Sequence, residues 1–194
     1  PVESWASGGK AELVIKASEN ARIYTGVDAR LIDRKGDRTR VVKIMNGMVL
    51  PNPRTFVDKI WQDASLNDIG VFAEGKFQVA DFTTLTTGIR ADFISTGIDD
   101  PAADFEALYG GEIEDQQEAN ISANASLKYQ KNGFQAQFAI GRGVRTASMV
   151  ERYINHFTVN NDPYEYVGNP YLNPEINNQF ELSAMKNFNR FEIG

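Results

Sequence analysis

The side chains best suited to chemistry in this sequence are soft donors. "IMNGMV", residues 44–49, sets Met45 three residues before Met48, and Met149 and His156 follow about a hundred residues later. Thioethers with an imidazole suit copper, so these four would form a copper site if the fold brought the two segments to the same end. The competing reading is ordinary packing for methionines beside Ile44 and Val49, and a solvated loop for His156, the single histidine. No serine and aspartate accompany that histidine in a triad pattern, so the sequence does not predict an enzyme. Asp99, Asp100, Asp104, Glu106, Glu112, Glu114 and Asp115 offer hard oxygen ligands for calcium, but their spacing fits no calcium loop, and a charge-rich solvated loop accounts for them. "GRGVRT", residues 141–146, follows no βαβ pattern and opens no helix, so it is no dinucleotide fingerprint. Asn120 and Asn124 match N-x-S within a strand-like run, an accidental match. No resident cofactor is expected.

The elements that must position these groups are strands. The 194 residues are 42% hydrophobic and 24% charged, enough to fold as one ordinary domain. A net charge of −6 argues against nucleic acid as partner, and the absence of cysteine excludes both disulfides and thiolate metal sites. No stretch approaches the roughly 20 apolar residues of a spanning helix, and "PVESWASGGK" lacks the order of a signal peptide and reads as the inside of a longer chain. Period-two alternation dominates instead. Ile121, Ala123, Ala125, Leu127 and Tyr129 alternate with Ser122, Asn124, Ser126 and Lys128, and "FQAQFAI" follows after Asn132-Gly133, the turn pair of a tight hairpin. "ELVIKA" and "ARIYTGVDARLID" form a second such pair, "IGVFAEGKFQV" and "LTTGIRADF" a third, and "QFELSAM" opens a fourth whose turn spans Asn187 to Arg190. Seven strands and the start of an eighth are predicted, with no amphipathic helix.

Connection lengths alternate. The turns at Ser18, Asp81, Asn132 and Asn189 are short, and the connections 34–67, 97–117 and 146–177 are predicted to be long loops. In an up-and-down antiparallel sheet this puts all short turns at one end and all long loops at the other, as in transmembrane barrels. A soluble sandwich, serving as a ligand-binding or adhesion module, has the same alternation. Two details favour the barrel. Phe77 and Phe82, Tyr129 and Phe134, and Phe188 and Phe191 flank the short turns, where a barrel carries its lower aromatic girdle. The apolar face is also rich in Ala, Thr and Gly rather than in bulky aliphatics. "RKGDRTR", residues 34–40, is expected to meet water or anionic head groups.

"GNPYLNPEINNQFEL", residues 168–182, resembles a Gly-Asn-Pro-x-Leu-x-Pro-Glu segment, followed by Glu-Leu, of TonB-dependent outer-membrane receptors: Gly168, Asn169, Pro170, Leu172, Pro174, Glu175, Glu181 and Leu182 match. "GRGVRTASMVERY" resembles an earlier segment of the same family through Arg145, Ser148, Glu151 and Tyr153, with Ala147 where proline is usual. The resemblance implies an all-β antiparallel meander, about eight strands of a larger transmembrane barrel of about 22 strands, with residues 1–194 as a partial barrel domain. It implies an outer-membrane location, contact with lipid, and uptake of a scarce nutrient, a metal or metal chelate, driven through TonB by way of a plug. Neither that plug, nor its TonB-binding box, nor the family's C-terminal aromatic residue is among these residues. The segments around Met45 and Met149 are similar to the copper-receptor branch, which makes copper the first ligand to consider as cargo. The two outermost strands are expected to pair with another copy or to be blocked by loops. Gly168 to Asn178 reads as the descent of an outer loop to the membrane, with strand alternation from Gln179.

Overall fold

A computed structural model of the chain describes residues 1–158, 164–188 and 191–193, with the backbone alone at 191 and 192. Eight strands make one antiparallel sheet: β1 (Val2–Ser18), β2 (Ala21–Met45), β3 (Met48–Ala80), β4 (Thr83–Ile98), β5 (Gln116–Lys131), β6 (Phe134–Arg145), β9 (Glu175–Phe188) and β10 (Phe191–Ile193). Each pairs with the strand before it, so the predicted up-and-down meander is the observed one, with β1 and β10 at its edges. Two short helices, α1 (Ala103–Leu108) and α2 (Met149–Tyr153), and a small pair, β7 (Phe157–Thr158) with β8 (Glu165–Tyr166), lie in the connections.

The alternation read from the sequence sorts the side chains onto two faces. Leu13, Val27, Ile69, Ile89, Ile121, Phe180 and Leu182 stand exposed on one face, Leu182 at 73%. The other face is polar and internally paired. The Arg90 guanidinium reaches both oxygens of Asp28 across the sheet (2.7 and 2.9 Å) and Asp92 on its own strand (2.7 Å). An exposed apolar face beside a polar one crossed by ion pairs is the reverse of a water-soluble sheet packed over a core, and it is the arrangement of a wall between lipid and water. The short turns occupy one end. Phe82 meets Tyr129 edge-on at 6.4 Å, and Tyr129 meets Phe134 at 6.3 Å, joining the aromatics flanking two of those turns. The fourth short turn, at Asn189 and Arg190, and the side chain of Phe191 lie outside the described residues.

The first long connection departs from expectation. Residues 34–67 are not a loop: β2 and β3 stay paired to a turn at Asn46-Gly47, whose φ values of 51° and 78° give the doubly left-handed geometry that a two-residue hairpin needs. The signal equals that of Asn132-Gly133, but the basic run 34–40 and the prolines Pro51 and Pro53 obscure it. The ladder absorbs the prolines in a register shift between Val42 and Ile44. Beyond Gly36 the ribbon has lost β1, and β4 leaves β3 at Ala64, so from Asp37 to Met45 it stands as two strands projecting ~30 Å past the wall at ~3.3 Å per residue. The strand start at Gln179 also moves, to Glu175.

A bulge marks where the ribbon leaves the wall. Register passes from Arg34↔Ala64 to Gly36↔Trp61, leaving Gln62 and Asp63 unpaired with β2, and Asp63 adopts φ 51°. The freed groups hold the next connection: Asp63 O accepts the Asp99 N–H (3.0 Å), and the fully buried Gln62 accepts the Ala102 N–H at Oε1 (2.7 Å). Here the polar face becomes apolar, and Trp61, Ala64, Leu66 and Ile94 form a core with Met149, Tyr153 and Ile154 from the later connection.

The two-face assignment makes a prediction for the intact protein. Leu182→Lys, on the exposed apolar face, is expected to cost about 2–4 kcal/mol of membrane-embedded stability, and Ser183→Lys, one residue on and facing the polar side, far less. Heat-dependent mobility of the folded protein on gels measures both; equal sensitivity would refute the assignment.

Candidate functional site

The two segments singled out in the sequence meet at the long-connection end. β6 ends at Arg145 and β9 begins at Glu175, the last pair of their ladder. Between them Ser148 caps α2: its Oγ accepts the Glu151 N–H (3.4 Å) and Glu151 accepts the Ser148 N–H (2.7 Å), a reciprocal capping box. Arg145 forks onto both Glu151 oxygens (2.9 Å each) and reaches Glu175 (2.9 Å). The Arg145 hydrogen bond, with help from the Ser148 N–H, holds the Glu151 carboxyl down at about 2, and the same two glutamates raise Arg145. All three groups stand open to water, so solvent screens the attraction and the cluster serves chiefly to fix geometry where the strands end.

One residue on, Arg152 is 1% exposed. Its guanidinium donates to the carbonyls of Ala147 (3.3 Å), Pro170 (2.6 Å) and Leu172 (3.2 Å) and pairs with Glu118 of β5. Glu118 also accepts from Thr146 (2.8 Å). The segment 168–172 therefore does not descend to the membrane as the sequence suggested. It folds back on α2, with Gly168 donating to Ile154 O (2.7 Å) and Asn169 to Glu151 O (2.8 Å). A Cβ on Gly168 would stand 2.5 Å from the Arg152 carbonyl carbon, which only glycine avoids. Tyr153 donates its hydroxyl to Thr96 Oγ1 (2.7 Å) from inside the core, and Tyr109 donates to Gly168 O. Pro174 immediately precedes β9, and Glu181 and Leu182 lie well down that strand, opposite Ala139 and Phe138 and away from this cluster.

His156 is held rather than solvated. Its Nε2 faces Asp104 Oδ2 at 2.7 Å and its Nδ1 faces Glu165 Oε2 at 3.0 Å, while Arg38 of the ribbon donates to its carbonyl (2.8 Å). Burial pushes the imidazole pKa down, but the hydrogen bonds and charges of the two carboxylates outweigh it and the pKa is raised. Glu165 and Asp104 are correspondingly lowered. His156 thus joins α1 and β8 through its ring and the ribbon through its carbonyl. Met45 and Met48 are cross-strand partners at the ribbon tip, so their thioethers share one face, Met48 at 70% exposure. Met149 is buried against Trp61, whose β2 partner Gly36 lies nine residues, ~30 Å, from Met45 at the tip. The structure brings the first two methionines together and sets Met149 and His156 at the ribbon's foot. Arg152, Glu118 and Glu165 carry no signal in the sequence, and Asp104 stood out there only as one acid of a solvated loop, not as a partner of His156: a five-residue helix shows no period, and the partners are scattered along the chain.

Two outcomes follow. Arg152→Met leaves Glu118 facing three vacated carbonyls and is expected to cost about 3 kcal/mol or more, seen as protease cleavage within 146–174 while the wall stays intact. The His156 clamp is complete below the ordinary histidine value of 6.5 and is lost as pH rises through the raised one, so hydrogen-exchange protection of residues 154–158, corrected for the intrinsic base-catalysed rate, should fall as pH rises past that value. His156→Gln should abolish that pH dependence.

Residues 14–193 match the family model described as "TonB dependent receptor-like, beta-barrel". Among solved structures, "Copper transporter OprC" superposes with a TM-score of 0.70 at 16% identity, over 97% of this chain and 28% of that one. At that identity the likeness speaks to the fold, and the chain spans little more than a quarter of that transporter's length. A comparison with curated protein sequences returns no match. An open meander with an exposed apolar face, short turns at one end and folded connections at the other is a segment of a barrel wall, and the chain belongs to the TonB-dependent receptor β-barrel family, whose members are outer-membrane transporters and not enzymes.

Proposed function

We propose that the intact protein is a receptor of a Gram-negative outer membrane that takes up a scarce metal or metal chelate, copper first, with energy delivered through TonB. Residues 1–194 supply part of the barrel wall and its outer mouth. The edges at β1 and β10 pair with the strands that complete the wall, and a plug carried elsewhere in the intact chain meets TonB. The observation that carries this reading is the family match over residues 14–193 on a sheet whose exposed face is apolar. Copper is favoured by the donor chemistry at the ribbon tip, where Met45 and Met48 present two thioethers on one face far above the wall. The similar structure named a copper transporter points the same way.

In this reading the paired methionines make the first contact with the cargo, and the polar face offers the descending ion a route lined by paired charges such as Arg90 with Asp28. Nothing in the wall specifically favours the soluble binding module that the alternation alone would also have allowed. Under copper limitation, deletion of the gene should lower cell-associated copper, and loss of TonB should lower it equally. In the purified intact protein, Met45→Ala with Met48→Ala should weaken copper binding by at least about tenfold, or ~1.4 kcal/mol, with the barrel still folded. Unchanged affinity would remove the ribbon tip from the proposal, unchanged copper accumulation in the deletion would remove copper, and recovery of the protein in a detergent-free wash would remove the membrane reading altogether.

A further inference from the structure

The apolar face carries an anomaly. Along β6 the residues on that face are Phe134, Ala136, Phe138, Ile140, Arg142 and Val144. The β6–β9 ladder runs without a register shift from Phe134↔Lys186 to Arg145↔Glu175, so Arg142 shares the side of Phe138 and Ile140, because a change of face would require a slipped or inserted residue. The lysines of the short-turn end, Lys131 and Lys186, and the acids of the opposite rim, Glu3 and Asp33, bound this face. Between those limits Arg142 is the one charged side chain among the described residues on it. Its lateral neighbours are Ala123 on β5 and Asn178 on β9. Arg90, Arg145 and Arg152 each face a carboxylate. Arg142 is exposed and, among the described residues, has no ion pair or hydrogen bond from its side chain.

A cation on a lipid-facing surface is tolerated where it reaches the interface or an anion, and is penalised most at the midplane. Arg142 lies three residues short of the Arg145–Glu175 pair that ends the wall, ~10 Å along the strand. Strand tilt shortens that distance along the membrane normal, and a long side chain can span much of the rest by lying up the surface with its head toward water. On the other side, toward the short turns, Phe138 and Phe180 pack edge-on at 5.3 Å, and Phe180 and Leu182 are each at least 70% exposed. An unpaired guanidinium with an adjacent amide stands above an exposed aromatic and aliphatic surface. A lipid has the same order, a phosphate above an acyl chain, and the planar guanidinium matches phosphate oxygens in bidentate fashion.

We infer that Arg142 and Asn178 hold the phosphate of an outer-leaflet lipid on the outside of the wall, with its acyl chain against Phe180 and Leu182. This rests on the membrane reading above. The test uses the intact protein in detergent, probed by native mass spectrometry with phosphorylated lipid A and with its dephosphorylated form. The wild type should retain the phosphorylated lipid, Arg142→Gln should lower its retention about tenfold, Arg142→Lys should fall between, and the dephosphorylated form should bind none of the three well. Because Arg142→Gln removes a charge from an apolar surface, its heat stability in a non-ionic micelle should equal or exceed that of the wild type, which separates lipid loss from misfolding. Equal retention by wild type and Arg142→Gln, or equal retention of the two lipid forms, would overturn the site. So would a wild-type dimer that Arg142→Gln dissociates while lipid retention stays unchanged, since the face would then belong to a second copy. A protein that never partitions into detergent would instead defeat the membrane reading.

Discussion

Burial of the Arg152 guanidinium organises the outer end of the molecule. Removing such a charge from water costs several kcal/mol unless its donors are satisfied. Here they are, by Glu118 and by carbonyls from Ala147, Pro170 and Leu172. Those carbonyls come from both ends of the connection between β6 and β9, so the arginine can be buried only when that connection closes on itself and docks on β5. Once it has docked, Gly168 lies against the Arg152 backbone, Tyr153 reaches Thr96, and Met149 and Ile154 complete a core with Trp61 and Leu66. A segment that would otherwise be a mobile loop becomes part of the wall's polar side.

That docking also explains why the two motif segments resemble a family pattern together. Arg145 binds both Glu175 and Glu151 by its side chain, Ser148 and Glu151 cap each other, and Gly168 and Asn169 are bound to Ile154 and Glu151 by backbone. The residues act as one joint between strand end, helix and returning chain. The β2–β3 ribbon is built on the opposite principle. Apart from contacts at its foot, among them those of Arg38 with His156 and of Lys59 with Asp100, it is a two-stranded hairpin beyond the reach of β1 and β4, so its tip methionines are carried by a slender element while the mouth beneath is packed. A receptor that must catch a rare ligand and then commit it to a defined passage has use for both.

Much of the wall was legible because its causes are local. Side-chain alternation has period two whatever the neighbouring strand is, and Asn132-Gly133 forces a tight turn on its own. The same logic should have identified Asn46-Gly47, whose flanks were masked by a basic run and two prolines that the ribbon tolerates through a register shift. The candidate site was half legible. The family motif positions were visible as a pattern, but nothing in the residues next to Arg152 marks it as the one that holds them, and Glu118, its partner, lies 34 residues away on β5. His156 read as a solvated loop residue because Asp104 and Glu165, its partners, lie 52 and 9 residues away in segments without periodicity.

By itself, then, the sequence determined the two faces, the short turns and the meander, because each follows from the conformational preferences and polarity of residues adjacent in the chain. The tertiary structure decided how the long connections fold, which charges are buried and which face water, and that Met45 and Met48 stand together while Met149 is enclosed. Those outcomes depend on the desolvation of groups brought together from distant parts of the chain. No local pattern encodes that cost until the partners that offset it are in place.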